Sequence, residues 1–377
     1  MGNENRMALD GLTVLDVSGT VSTSFCARLF ADYGARVINL ESDNGFPTRR
    51  EPPFLEGQSP PDNSALHAFL HTGKLSVREK SLDDRALDGL IEQAHLVLDD
   101  GAPVARLARA CDGFSCVRMS VSWYGDAGPY ADFVGSDAQI FALNGMLRGI
   151  GREEGPPIIP SGYQAQLAAG MTAYIGALGH VLGAELGNAL GPLHLHTSIL
   201  ESALCFTEVG AVGYYNTGLQ GDRMGINRFP PTYPLGVFPC RDGWLGVTVL
   251  TPQQWHAFCT LLDMEELAHV PLFQSAVGRL QSLDVIEPLM CERLLERSSS
   301  DLYRKGQQAR IPLAPVPTVE ELFTTDQFQH RKAFSNAEMT GGASVAVPSV
   351  PFRLFHTPPH FGGQVAGLGE HDGVVLP

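Results

Sequence analysis

The chain has 377 residues, 44% of them hydrophobic and 18% charged, with a formal net charge of −15 from 26 basic and 41 acidic side chains. That length allows two domains and a large buried core, and that balance is ordinary for a globular protein. The acidity argues against nucleic-acid or anionic-membrane partners, the more so because the lysines are only Lys74, Lys80, Lys305 and Lys332.

Residues 13–18 (TVLDVS) read as a buried strand, and residues 23–33 as a helix capped by Ser22 or Thr23 and ended by Gly34. A second strand is expected at 36–41 (RVINLE), then a helix at 82–93, a strand at 95–99, a helix at 103–110 and a strand at 114–122. Strands separated by helices of this length predict an α/β fold with a parallel, Rossmann-like sheet. The first strand–helix turn, SGTVSTS, lacks GxGxxG, which counts against a dinucleotide enzyme. Residues 168–187 form the longest apolar run, yet it contains His180, Glu185 and many small residues, so a buried helix is expected there and not a membrane span. A strand at 193–198 (LHLHTS) and a helix to about 217 follow.

Residues 220–236, rich in Gly, Pro, Arg and Asn, read as a linker or a substrate-facing loop. A smaller unit follows: the hairpin VFPCRDGWLGVTVL turning at Arg241–Asp242–Gly243, helices between 252 and 308, and a strand at 311–317. The tail from 341 is Gly/Pro-rich and expected to be extended. The seven cysteines show no CxxC pair and no His/Cys cluster, so no metal site is read from them. Their odd number, with no leader segment read, predicts reduced thiols and a cytoplasmic location.

Three constellations deserve a chemical reading. His194 and His196 alternate along one strand and face the same side. With Glu201 or Glu208 they could ligate a metal, but no third ligand sits at a diagnostic spacing, and a structural role is the alternative. Ser161 could act as a nucleophile, although no base is identifiable; otherwise it is a turn residue. Arg223 and Arg228, with Tyr214, Tyr215 and Tyr233 nearby, could clamp a carboxylate or form an exposed basic loop.

Residues 155–179, GPPIIPSGYQAQLAAGMTAYIGALG, resemble the active-site segment of class III CoA transferases, the family of formyl-CoA and carnitine-CoA transferases and alpha-methylacyl-CoA racemase. The similarity continues through LDGLTVLDVSG, ARLFADYGARVINLES, HTGKLSV, SVSWYGDAGPYAD, DGWLGVTVLTPQQW, ARIPLAPVPTVEELFTTDQF and LGEHDGVVL. It implies a large Rossmann-like domain built from both chain ends, a smaller α+β domain, and two chains interlocked in an obligate dimer. The corresponding division is residues 1–217 for the first part of the large domain, 218–310 for linker and small domain, and 311–377 for linker and return. CoA and acyl-CoA would be substrates, with no covalently bound cofactor.

In that family an aspartate four residues before the glycine at the position of Gly170 attacks the acyl thioester, giving a mixed anhydride and CoA thiolate. Gln166 stands there instead. Its amide is neutral and a weak nucleophile, though it can donate and accept hydrogen bonds. Other departures accompany it. Ser42 follows Glu41 where the family places an arginine, and Asp100 and Gly101 replace an asparagine and an aromatic residue. Lys74 is the CoA-contacting cation that remains, or else a solvated lysine at a turn. The racemase branch's histidine is replaced in Gly135–Ser136–Asp137, leaving Asp137 as a weak candidate for a replacement acid. The resemblance therefore points to an Asp-lacking subunit that pairs with an Asp-bearing paralogue. The nearest likeness is the Asp-lacking subunit of succinyl-CoA:(R)-benzylsuccinate CoA transferase, of anaerobic toluene breakdown. The alternatives are a homodimeric acyl-CoA lyase, hydratase or thioesterase, and a CoA-binding protein without catalysis.

Overall fold

The structure, a computed structural model, describes residues 6–57, 59–101, 116–187, 193–218 and 223–374. The helix expected at 103–110 and the start of the strand expected from 114 lie outside these residues. The chain divides into two units: Met1–Met146, Ile159–Asn216 and Asp326–Pro377 form one, and Leu147–Ile158 with Thr217–Thr325 form the other.

The larger unit is built on six parallel strands: β1 (Thr13–Asp16), β2 (Arg36–Glu41), β3 (Leu75–Arg78), β4 (Leu96–Asp99), β5 (Val117–Ser122) and β6 (Leu193–Ser198). Their order is β3-β2-β1-β4-β5-β6, and every neighbouring pair is parallel. Side chains along β2 and β4 are buried almost without interruption, as in strands covered on both faces, and the polar Asn39, Glu41 and Asp99 are buried with their apolar neighbours. The order reverses on either side of β1, so the carboxyl ends of the strands form the edge where such sheets hold ligands. Helix α1 (Val21–Asp32) begins earlier than expected, because the Thr20 side chain, not Ser22 or Thr23, accepts from the Thr23 N–H. Strand β3 and helix α2 (Ala65–His71) escaped the periodicity reading. Four residues between Lys74 and Glu79 are too few to establish a period.

Helix α3 (Asp84–Gln93) packs on one face of the sheet, with Leu87, Leu90 and Ile91 buried among Leu15, Ile38, Val77 and Val97. Helix α4 (Asp137–Leu143) precedes the long helix α5 (Gln164–Glu185). Among the described residues, α5 is the one helix long and apolar enough to cross a membrane. Within this unit it packs on α1, burying a ridge of Ala165, Ala169, Ala173 and Ala177. Small residues let the two helices approach closely. A Cβ on Gly170 would lie 2.6 Å from the Ser22 carbonyl oxygen, and Tyr174 meets Phe30 edge-on at 4.8 Å between ring centroids.

The segment from Asp326 to the end of the chain returns to this unit. Strands β10 (Phe334–Met339), β11 (Ser344–Pro348) and β12 (Gly363–Val365) form a small sheet over Ala68 of α2. Arg28 donates to the Pro348 carbonyl at 2.5 Å, and Arg78 pairs with Asp372 at 2.6 Å. The large unit is thus assembled from both chain ends.

In the smaller unit, β7 (Leu235–Cys240) and β8 (Gly243–Thr248) make the expected hairpin through Arg241 and Asp242, and β9 (Leu313–Pro315) pairs antiparallel with β8. Their inner face and the surrounding helices enclose a core around Trp255, Phe258, Ile286 and Leu313. The return to the larger unit comes at Asp326.

The α1–α5 approach gives a paired prediction. Gly170→Ala should lower stability by about 1–2 kcal/mol, because overpacking against backbone outweighs alanine's helix propensity. Gly176→Ala, where a Cβ meets nothing within 4 Å, should hold or gain up to about 1 kcal/mol. Chemical denaturation of both variants against the parent checks the contrast.

Candidate active site

Helix α5 begins after Tyr163, whose side chain makes no capping bond. An uncapped helix start leaves backbone N–H groups without partners. Asp137, the first residue of α4, supplies the missing acceptor from elsewhere in the chain. Its Oδ1 accepts from the N–H groups of Ala165 at 2.8 Å and Gln166 at 3.4 Å, and its Oδ2 accepts from Gln166 Nε2 at 2.7 Å. Gln166 and Asp137 are each 8% exposed. The amide is therefore the hydrogen-bonding complement of the carboxylate. Asp137 has both oxygens engaged in holding a helix, so the acid nearest to Gln166 is a cap. Tyr163, the residue before α5, donates its hydroxyl to Glu51 Oε2 at 3.4 Å.

Lys74 is 2% exposed, which excludes the solvated-turn alternative. Its ammonium donates to the Ser24 carbonyl at 2.8 Å and lies 3.4 Å from His71 Nδ1. Burial pushes its pKa down to about 8, against the pull of Asp16. The same burial pushes the Asp16 carboxyl upward, opposed first by Lys74. In this arrangement Lys74 is an internal cation, directed away from any phosphate at the surface.

Beside it lies a polar cluster that the sequence reading missed. Arg49, 1% exposed, forms a two-pronged pair with Glu41 at 2.7 Å and also bonds Asp62 and the Ala366 carbonyl. Glu41 additionally accepts from Ser76 Oγ at 2.6 Å and from the Phe46 N–H at 2.9 Å. His67 and His71 stack with ring centroids 4.1 Å apart, and both contact Thr48 Oγ1. Burial holds both imidazoles well below their usual pKa, reinforced by the nearby Lys74 and Arg49 charges. An arginine eight residues after its glutamate gives no recognisable motif. Ser42 bonds only locally, its hydroxyl donating to the Gly45 carbonyl at 3.2 Å.

The remaining candidates divide by surroundings. Ser161 is exposed and belongs to the turn before α5, as its turn reading expects. His194 and His196 meet serines: Ser120 Oγ is 2.7 Å from His194 Nε2, and Ser122 Oγ is 3.0 Å from His196 Nε2. Among the described residues no three His, Cys, Asp or Glu side chains gather as a metal site; the Glu208 side chain lies outside that description. The arginine clamp is not formed. Arg223 donates to the carbonyls of Arg152 and Gly155, while Arg228 pairs with Glu287 at 2.7 Å, which also accepts from Tyr233. A separate cavity of about 370 Å³ lies along the outer half of α1, lined by Phe25, Arg28, Phe69, Arg331 and Arg353, and includes neither Gln166 nor Asp137. The described cysteines, Cys26, Cys116, Cys205, Cys240, Cys259 and Cys291, form no disulfide.

Fold and site together define a doubly wound α/β protein whose long helix starts at a buried amide–carboxylate pair. The profile of CoA-transferase family III matches residues 9–372, and the chain belongs to that family. CoA thioesters are the substrates of such transferases, and no other cofactor is implied. A probable CoA-transferase of Mycobacterium tuberculosis, Rv1866, is 27% identical over 93% of this chain; the match spans 46% of that relative's length. The alpha subunit of succinyl-CoA–L-malate CoA-transferase from Chloroflexus aurantiacus is 23% identical over 97% of this chain and 86% of its own. The crystal structure of a CAIB/BAIF family protein from Brucella suis superposes with a TM-score of 0.83 at 22% identity, covering 98% of this chain and 99% of that one, which shows the shared fold.

Two predictions follow from these environments. Gln166→Glu keeps the side-chain length but sets two carboxylates together. It should lose about 1–3 kcal/mol at pH 7.5. The folded pair would then retain a proton that the unfolded chain releases, so the deficit should shrink as pH falls to 5.5. Denaturant midpoints at the two pH values measure it. His71 is neutral in the fold but titrates near its usual value when unfolded. Falling pH therefore favours the unfolded state below about 6.5, by up to roughly 1.4 kcal/mol per pH unit for each such histidine. His71→Gln should flatten the fall in stability between pH 7 and 5.5 by about one proton's worth, measured by the same titration.

Proposed function

We propose that this chain is the Asp-lacking, non-catalytic subunit of a heteromeric CoA transferase, interlocked with an Asp-bearing paralogue that carries the acyl group. The observation that carries the reading is Gln166: a buried amide bonded at 2.7 Å to a carboxylate that already caps α5. Acyl transfer through an anhydride needs an ionised oxygen able to leave its hydrogen bonds and attack a carbonyl carbon. Neither member of this pair is so placed.

Two further facts support a partner. Along the outer side of α5 and just beyond it, Met171, Ile175, Leu182 and Leu186 are exposed, an apolar stripe that an interlocking chain would cover. One relative bears the name alpha subunit, and another continues for more than half its length beyond the matched span. The partner's task would be the covalent chemistry, and this chain's would be to complete the shared fold and shape the acyl pocket.

For the acid exchanged, we propose a dicarboxylate with a succinate skeleton. Succinate and malate, in the name of the Chloroflexus relative, share that skeleton with benzylsuccinate. Benzylsuccinate is one member of the proposed class.

Co-expression with the Asp-bearing paralogue from the same locus, followed by mass determination and a succinyl-CoA exchange assay, tests the proposal. A stable mixed assembly should exchange CoA, and the chain alone should not. Gln166→Asp in the isolated chain should also fail to create exchange, because the new carboxylate would face Asp137. A homodimer of the unmodified chain that exchanges CoA between succinyl-CoA and a free dicarboxylate would overturn the reading. Measurable CoA binding with neither partner nor turnover would instead favour a CoA-binding protein.

A further inference from the structure

The carboxyl edge of β5 and β6 holds a second arrangement that the site at Gln166 does not use. The strands pair in parallel with Ser120 beside His196 and Ser122 beside Ser198. Side chains two apart on each strand share a face, so each histidine reaches diagonally to the next serine along the neighbouring strand. In the outer pair, Ser122 Oγ lies 3.0 Å from His196 Nε2, and His196 Nδ1 lies 3.9 Å from Asp126 Oδ1 in the loop that leaves β5. The Gly125 N–H donates to Ser122 Oγ at 3.0 Å. With a donor already on the oxygen, the hydroxyl proton is free to point at Nε2, which leaves the proton of the neutral ring on Nδ1, the nitrogen that faces Asp126 at 3.9 Å. Ser122 and His196 are partly exposed and Asp126 is exposed, so a substrate can reach them from solvent.

The inner pair lacks this layout. Ser120 is buried, and Asp99, the acid on that part of the face, is bound to Arg118 at 2.6 Å. Burial and the Arg118 charge push the His194 imidazole down in pKa. The outer pair alone combines a reachable hydroxyl, an imidazole and a carboxylate in sequence. The same loop presents an aromatic group: Tyr130 stacks on Phe133 with centroids 4.9 Å apart, Tyr124 meets both rings edge-on, and Tyr130 and Phe133 are exposed. It offers an apolar platform in the loop that follows Ser122.

We propose that Ser122, His196 and Asp126 form a nucleophilic relay that hydrolyses activated esters and thioesters of small apolar acyl groups. Ser122 Oγ attacks the carbonyl carbon while its proton passes to His196 Nε2. The carbon–sulfur or carbon–oxygen bond breaks, and the departing thiolate or alkoxide takes that proton. Water then adds to the Ser122 ester, giving its proton to Nε2; the carboxylic acid leaves and Oγ recovers the proton. Asp126, 3.9 Å from Nδ1, balances the transient charge of the imidazolium. No oxidant or metal enters. The residues are separate from Asp137 and Gln166, so this activity and the subunit proposal stand or fall independently.

The test treats the full chain with a fluorophosphonate probe, locates the adduct by peptide mass, and follows p-nitrophenyl acetate hydrolysis across pH. The adduct should sit on Ser122. Ser122→Ala and His196→Gln should each reduce turnover at least about 100-fold, in the range of general acid–base contributions. Asp126→Asn should reduce it about 10-fold, within the same kind of effect. Ser120→Ala should keep both label and turnover. Absence of an adduct, an adduct on another residue, or hydrolysis undiminished in Ser122→Ala would overturn the proposal. Because labelling is read on the unmodified chain, a variant that fails to fold leaves the decision intact.

Discussion

The carboxylate of Asp137 closes the first turn of α5 from outside that helix, accepting from the backbone of Ala165 and from both the backbone and side chain of Gln166. A capping bond of this kind contributes about 0.5–2 kcal/mol, and a charged acceptor with a side-chain donor adds about 1.5–3 kcal/mol more. The geometry asks for a donor at residue 166. An amide satisfies it; a carboxylate would oppose it. Gln166 therefore fits its surroundings and is integrated into the scaffold.

A second constraint joins distant parts of the larger unit. Arg49 collects Glu41, Asp62 and the Ala366 carbonyl, while Arg78 and Ser76 engage Asp372 and His371 near the end of the chain. Taking the Arg49 and Glu41 charges out of water is costly, and the pair is kept because hydrogen bonds satisfy it almost completely. Removing one partner from such a buried pair typically costs about 3–5 kcal/mol. The acidic surface charge of the chain says nothing about this interior, where cations are fully partnered. Lys74 belongs to the same interior, which is why it is a poor guide to a phosphate site.

Much of the doubly wound sheet was legible in the residues. The strands expected at 36–41 and 193–198 form at those residues, and the hairpin turns at Arg241 and Asp242. Such elements are set by local pattern and turn chemistry. Strands β3 and β10 were missed because short, half-polar segments carry little periodicity. The cap of α1 was placed two or three residues late because several Ser and Thr residues in succession offer equivalent acceptors, and only the backbone path selects Thr20. The paired orientation of His194 and His196 followed from strand alternation, but their serine partners lie on a neighbouring strand and leave no trace in spacing.

The sequence by itself determined that residue 166 carries no ionisable oxygen and that the surrounding segments form a parallel α/β layout, because side-chain identity and hydrophobic period are local properties. The tertiary structure decided what those groups do. Asp137 meets Gln166 across 29 positions of chain, and Ser122 meets His196 across 74. Contacts at such separations exist only after the helices and strands have packed, and packing likewise decided that Lys74 and Arg49 would be buried with partners and that Arg223 and Arg228 would not converge on a ligand.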